Sequence, residues 1–179
     1  KLKNEGVEIV EITPSEISFD GFTTLLNIDM KHDLPKYLSE FAAKNISVKS
    51  VKEVVLFNLK DSVLRAPYGQ QLFDGILKDK TTLEELEVIK KNLSIESKKY
   101  LQALKVKNLD AILSINNYHS GIAAVAKHPT LTVPMGYKSS GEPISLTFIG
   151  IPFSERKLLE IGYAFEQLTK VREMPKNYQ

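Results

Sequence analysis

Cysteine is absent from this chain of 179 residues, which excludes disulfide bonds and thiol nucleophiles and fits a reducing, cytoplasmic compartment. Histidine is scarce: 3 residues, at positions 32, 119 and 128, stand at no spacing that a metal site uses, so neither a metal ion nor another cofactor is expected. The 9 glycines are scattered, and no Gly-Gly-Ser-Ser run occurs anywhere. No apolar run approaches the roughly 20 residues of a membrane-spanning helix, so no membrane partner is expected. Neither sign of charge dominates. With 24 Lys and Arg against 22 Asp and Glu, the formal +2 is too balanced to argue for a nucleic-acid surface. Lysines do gather at 90–91, 98–99 and 105–107, but glutamates interleave with them, as on a solvated helix face.

What is present is apolar patterning, at 42% hydrophobic residues and a length suited to one domain or part of a larger one. The clearest stretch is 109–170. Runs at 111–115, 130–133 and 144–151 have strand length and composition, and the last two are separated by a turn built on Ser139, Ser140, Gly141, Glu142 and Pro143. Pro134, Met135 and Gly136 are expected to end the second strand. Ser154 then opens a helix with Leu158, Ile161, Phe165 and Leu168 at helical spacing. Upstream, residues 1–6 read as the last turn of a helix closed by a Gly6 C-cap, and 7–12 as a strand. A helix is expected over about 20–43, its buried face drawn from Leu25, Ile28, Leu34, Leu38 and Phe41, with Pro35 breaking or kinking it. Ser50 and Glu53 form a capping box that opens a helix reaching about Leu64. Pro67-Tyr68-Gly69-Gln70 makes a turn into a short helix over 71–77. Thr82 and Glu85 form a second box, ahead of a long charged segment that is one bent helix or two meeting near Ser94. Strands alternating with longer helical patterns give an α/β fold, a mixed sheet flanked by helices.

The wording of these pieces goes further. The strand LDAILSINN, the segment GIAAVAKHPTLTVPMGY, the turn SSGEP, the strand ISLTFIGIPFSE and the helix LLEIGYAFEQLTK stand in that order. In composition and order they resemble the C-terminal portion of the amidase signature family, serine amidohydrolases that cleave carboxamides. The resemblance extends upstream through FNLKDSVLRAPYGQQLFDGIL, where PYGQ looks like its counterpart in bacterial and peptide-type amidases. It implies a parent enzyme that hydrolyses a small-molecule or peptide amide through a Ser–cisSer–Lys acyl-enzyme mechanism. In that family the nucleophile, the second serine and the lysine belong to the N-terminal half, beside a Gly/Ser-rich stretch. No catalytic residue is therefore assigned here, and Ser139-Ser140-Gly141 reads as ordinary turn chemistry. The expectation is a single C-terminal piece of an amidase domain over 1–179, with a helical cover over about 45–108 and core strands plus C-terminal helix over 109–172. Its foremost partner would be its own missing N-terminal half; the apolar sheet surface left bare without it is one that a homodimer would also cover.

Within that resemblance two loops are candidates for substrate contact. The PYGQ connection lies near the pocket mouth in the family, so Tyr68 and Gln70 would present a phenol and a carboxamide to the substrate; the alternative is packing by Tyr68 and helix capping by Gln70. The strand over 110–115, the most buried by composition, runs into Asn116-Asn117-Tyr118-His119-Ser120-Gly121, the densest polar group in the chain. Ligands gather at strand ends in open α/β sheets, and Asn116, Asn117 and Tyr118 carry groups that bond a carboxamide. Histidine is the residue type most often used as a general base, which makes His119 a candidate, but the family uses lysine. His32 is expected to be exposed. The small residues over 121–126 suit a tightly packed helix, and the polar tail over 174–179 is expected to fray. Two other readings stay open: a stand-alone, non-catalytic binding domain with the amidase half-fold, and a subunit that amidates mischarged transfer RNA.

Overall fold

The structure is a computed structural model that describes residues 1–175; of the tail expected to fray, 176–179 lie outside the described residues. The chain divides into two compact units, one made of Lys1–Ser18 with the chain from Ser94 onward, the other of Phe19–Leu93.

The unit over Phe19–Leu93 is helical. It holds α1 (Phe22–Phe41), α2 (Val51–Leu59), α3 (Ser62–Arg65), α4 (Gln71–Lys78) and the first part of α5 (Leu83–Tyr100). Both capping boxes form. Ser50 accepts the Glu53 N–H at 3.3 Å while the Glu53 carboxylate reaches back to the Lys49 N–H at 2.5 Å, one residue before the cap itself. Thr82 accepts the Glu85 N–H at 3.2 Å and donates its own N–H to Glu85 at 2.8 Å, satisfying two orphan donors reciprocally. Pro35 does not break α1, which runs on for 20 residues. A helical proline costs about 3 kcal/mol, and side chains on both sides of it offset this: Ile28 is buried and Leu34 half-buried upstream, Leu38 is half-buried downstream, and α1 packs against α2 and α4. Phe41, expected on the buried face, is exposed. The helix expected to reach Leu64 stops at Leu59, because Asp61 caps a new helix by accepting the Leu64 N–H at 3.2 Å. Helix α5 passes Ser94 without interruption.

The other unit carries the sheet. A 3₁₀ turn at Leu2–Glu5 ends at Gly6, whose φ of 83° lets the Gly6 and Val7 N–H groups turn back onto Lys3 and Leu2. The strand expected over 7–12 does not form; among the described residues the segment enters no ladder. After the end of α5 come α6 (Ala103–Val106), β1 (Ile112–Ile115), α7 (Ser120–Ala126), β2 (Thr130–Tyr137), β3 (Pro143–Ile149) and α8 (Glu155–Thr169). The sheet order is β1-β3-β2, antiparallel throughout. β2 continues beyond its expected end through a bulge between Pro134 and Gly136. The Lys138–Glu142 ion pair at 2.8 Å and the Lys138 N–H to Glu142 O bond close the hairpin.

Register sorts the two sheet faces. Leu131, Val133, Leu146 and Phe148 point to one side and pack with Leu158, Ile161 and Phe165 of α8. Ile112 and Ile149 point to the other, where Leu101, Leu104, Ala123 and Ala126 complete a second cluster. Helices thus cover both faces of the sheet, an α/β arrangement.

Candidate functional site

The site is built at the end of β1. Asn116 sits in the left-handed region at φ 49°, where Asn is tolerated because its short polar side chain bonds locally. It joins β1 to β3: its N–H donates to Ser145 O at 2.8 Å, and its Oδ1 accepts the Ser145 N–H at 2.9 Å. Its backbone oxygen accepts from the Thr147 hydroxyl. The chain then turns. Tyr118 N–H reaches Ile115 O at 3.3 Å, and the Ser120 N–H and hydroxyl both donate to Asn117 O, at 3.0 and 2.7 Å.

Beneath this turn lies a row of hydroxyls. Ser114, Thr147 and Thr132 are direct cross-strand neighbours on one face of the sheet. Thr132 and Thr147 share a hydrogen bond of 2.7 Å. Ser114, only 4% exposed, bonds His119 Nδ1 at 2.7 Å, and the His119 ring stacks on Tyr100 with centroids 5.4 Å apart. Burial pushes the Tyr100 phenol above its usual range. Each hydroxyl therefore has a partner within the protein, and the Ser114–His119 pair is a partly buried tether rather than an exposed nucleophile and base. Sequence reasoning passed over this row, although the alternation of hydroxyl and apolar residues in ILSI, TLTV and ISLTF signals it.

Ser145 also borders an open cavity of about 910 Å³ at the β2–β3 end of the sheet, with Thr132, Tyr137 and Arg172 on its wall. The chain after α8 is held there by Tyr137, whose hydroxyl accepts the Glu173 N–H at 2.9 Å and donates to Glu173 O.

Tyr68 and Gln70 lie in the helical unit. Tyr68 is 97% exposed. The turn closes with Gly69 N–H on Ala66 O at 2.9 Å, and Gly69 occupies φ 82°, a value glycine reaches freely. Gln70 Oε1 accepts from Asn58 Nδ2 at 3.2 Å, tying the turn to α2, and does not cap α4. The structure thus brings Asn116, Asn117 and Tyr118 together in one loop, and Tyr68 and Gln70 in another, each within its own unit. Among the described residues no group of three or more His, Asp or Glu side chains converges as a metal site requires, and no helix is long and apolar enough to cross a membrane.

Comparison with known proteins supplies the class. No family model matches the chain. An Arabidopsis thaliana protein named "Probable amidase" is 32% identical over 165 residues, covering 87% of this chain and 31% of its own length. The crystal structure of an amidase family protein from Bacillus anthracis superposes with a TM-score of 0.77 at 39% identity, over 90% of this chain and 32% of the other. The peptide amidase of Stenotrophomonas maltophilia superposes at 0.69 with 28% identity, over 88% and 35%. A glutamyl-tRNA(Gln) amidotransferase subunit from Bartonella bacilliformis is 36% identical over 63 residues, 35% of this chain and 13% of its own. The chain spans about a third of the length of the amidases it matches. It is a relative of amidases, and its fold is that of the C-terminal portion of amidase-family structures.

Proposed function

We propose that this chain is the C-terminal part of an amidase signature enzyme whose parent hydrolyses a carboxamide C–N bond. The observation that carries this reading is the superposition at TM-score 0.77 and 39% identity over 90% of the chain. In the proposed reaction a serine oxygen attacks the amide carbon, backbone N–H groups hold the oxyanion, and a lysine acting with a second serine, in a cis peptide, moves the proton to the departing amine. Water then cleaves the acyl ester. That machinery stands outside this chain, which contributes scaffold strands and part of the substrate pocket, and no metal or cofactor takes part. The two units are parts of one amidase domain, and the enzyme works in the cytoplasm.

Tyr68, Gln70, Asn116, Asn117 and Tyr118 are the proposed substrate contacts. Tyr68 and Tyr118 supply exposed phenols. Because Asn116 Oδ1 is committed to Ser145, the group Asn116 offers a ligand is its Nδ2 donor. A small-molecule or peptide amide is favoured over mischarged transfer RNA, since amidases match across most of the chain and the amidotransferase subunit over 35% of it. The test is to isolate the natural protein with an antibody against 109–170, weigh it, and measure ammonia or amine release from amides with hydroxylamine trapping of the acyl intermediate. A product much larger than 20.1 kDa that releases ammonia is expected. A 20.1 kDa product without hydrolysis refutes the reading in favour of a stand-alone binding domain.

A further inference from the structure

His119 is the N-cap of α7, a position where Ser, Thr, Asn or Asp would bond the first turn, yet its side chain makes no such bond. It turns back across the loop instead. Its Nδ1 meets the Ser114 hydroxyl at 2.7 Å, and its ring lies 5.4 Å from that of Tyr100, 22° from parallel. Ser114 alternates with Leu113 and Ile115 and so shares the covered face of β1 with Ile112. At 4% exposure a bare hydroxyl there would be costly, and His119 is its hydrogen-bond partner.

Two anchors therefore hold the loop. At its start, the Thr147 hydroxyl gives its one proton to the Asn116 backbone oxygen, so Thr132 is the donor in the 2.7 Å bond between the two threonines. At its end, the His119 side chain ties the loop to the strand five residues back. Between the anchors, the Asn117 carboxamide and the Tyr118 hydroxyl make no hydrogen bond among the described residues, and both side chains are exposed. A committed backbone that presents unengaged polar groups is ordered before a ligand arrives.

We infer that His119 is a positioning residue for the amide substrate. Through its bond to Ser114 it fixes the backbone between Asn116 and His119, and with it the directions from which Asn117 and Tyr118 meet the substrate. The inference rests on the amidase reading and deepens it. His119 itself touches no substrate and moves no proton. With the bond in place, ordering the loop takes nothing from substrate affinity. Without it, only the fraction of molecules whose loop is in position binds well, and KM rises by the inverse of that fraction.

Steady-state kinetics of the natural protein and its variants test this, with benzamide, hexanamide and N-acetylphenylalanine amide as probes. Ser114→Ala, and His119→Phe, which keeps a ring beside Tyr100, are each expected to raise KM about 10-fold, as when one molecule in ten has the loop in position. The double variant is expected to raise it no further than either alone, because the two residues make one bond. His119→Asn sets an amide near the place of Nδ1 and is expected to return KM most of the way to native. A loss of folded protein lowers the apparent kcat and leaves KM alone, so a merely structural role reads differently. Native KM in Ser114→Ala and His119→Phe, with amides still hydrolysed, overturns the positioning role and leaves the amidase reading standing. A KM as high in His119→Asn as in His119→Phe also overturns it, since the bond is then not what matters. Should His119→Phe not fold, Ser114→Ala against His119→Asn decides by the same comparison. If the native protein releases ammonia from none of the probes, the amidase reading fails and the role of His119 falls with it.

Discussion

Replacing Asn116 separates its two roles, as the splice between β1 and β3 and as a proposed substrate contact. In Asn116→Ala the Ser145 N–H loses its acceptor at 2.9 Å, costing roughly 1–3 kcal/mol depending on whether water replaces it. Alanine must also hold φ 49°, which adds about 1–2 kcal/mol. The sum centres on about 3.5 kcal/mol, or roughly 7–14 °C in Tm for a protein of this size. Asn116→Gly removes the acceptor but relaxes the backbone, so it falls between alanine and the native residue. Asn116→Asp keeps an acceptor oxygen and a residue that tolerates this region, so its stability stays within about 1 kcal/mol of native at neutral pH. Urea unfolding followed by far-UV circular dichroism ranks the three. If Asn116→Ala unfolds within about 0.5 kcal/mol of native, the splice does not hold the sheet end and the reasoning fails. The aspartate variant isolates the other role: it retains the oxygen and loses the Nδ2 donor, so a raised KM with intact stability assigns that donor to substrate.

Gly162 sits where α8 crosses β2, and a Cβ there would lie 2.3 Å from a Leu131 methyl. Gly162→Ala gains about 1 kcal/mol of helix propensity against roughly 1–3 of overpacking, for a net loss near 1, while Gly162→Val loses at least about 3; denaturant midpoints distinguish them. Glu85 is held below the ordinary glutamate value by the Thr82 N–H and hydroxyl. Its contribution is therefore present above the unfolded pKa and lost as pH falls through the lower folded one, and Thr82→Ala, which removes the hydroxyl and keeps the N–H, weakens the acid-side dependence of Tm on pH. Tyr68 is 97% exposed, so Tyr68→Ala changes stability by less than about 0.5 kcal/mol. If Tyr68 touches substrate, KM in the parent rises about 10-fold with kcat unchanged, and an unchanged KM removes it from the pocket.

Helix ends and turns were the readable parts of this chain. Ser50, Thr82, Gly6 and the hairpin around Gly141 behave as their local chemistry dictates, since each bonds a backbone group within a few residues. Two of the errors share one cause. Residues 7–12 have a strand's composition, but a strand needs a partner, and composition does not supply one. Pro35 has a helix breaker's chemistry, but packing on both sides outweighs it. Of the candidate site, the loop from Asn116 to Ser120 was visible as a polar cluster, whereas the use of Asn116 Oδ1 was not, because Ser145 is 29 residues away.

By itself the sequence determined the class of fold, the absence of thiol chemistry and the placement of the caps and the hairpin, together with the likeness to amidases. All of these depend on residue types or on bonds closed over short distances. Only the tertiary structure decided that β3 is the central strand and that the hydroxyls of Ser114, Thr147 and Thr132 align. It also decided that the β2 edge is blunted by Pro134 and a bulge, and that among the described residues no strand pairs with the outer edge of β1. Register and edge are properties of two strands together, and the alternation of one strand cannot say which neighbour its outward N–H groups will meet.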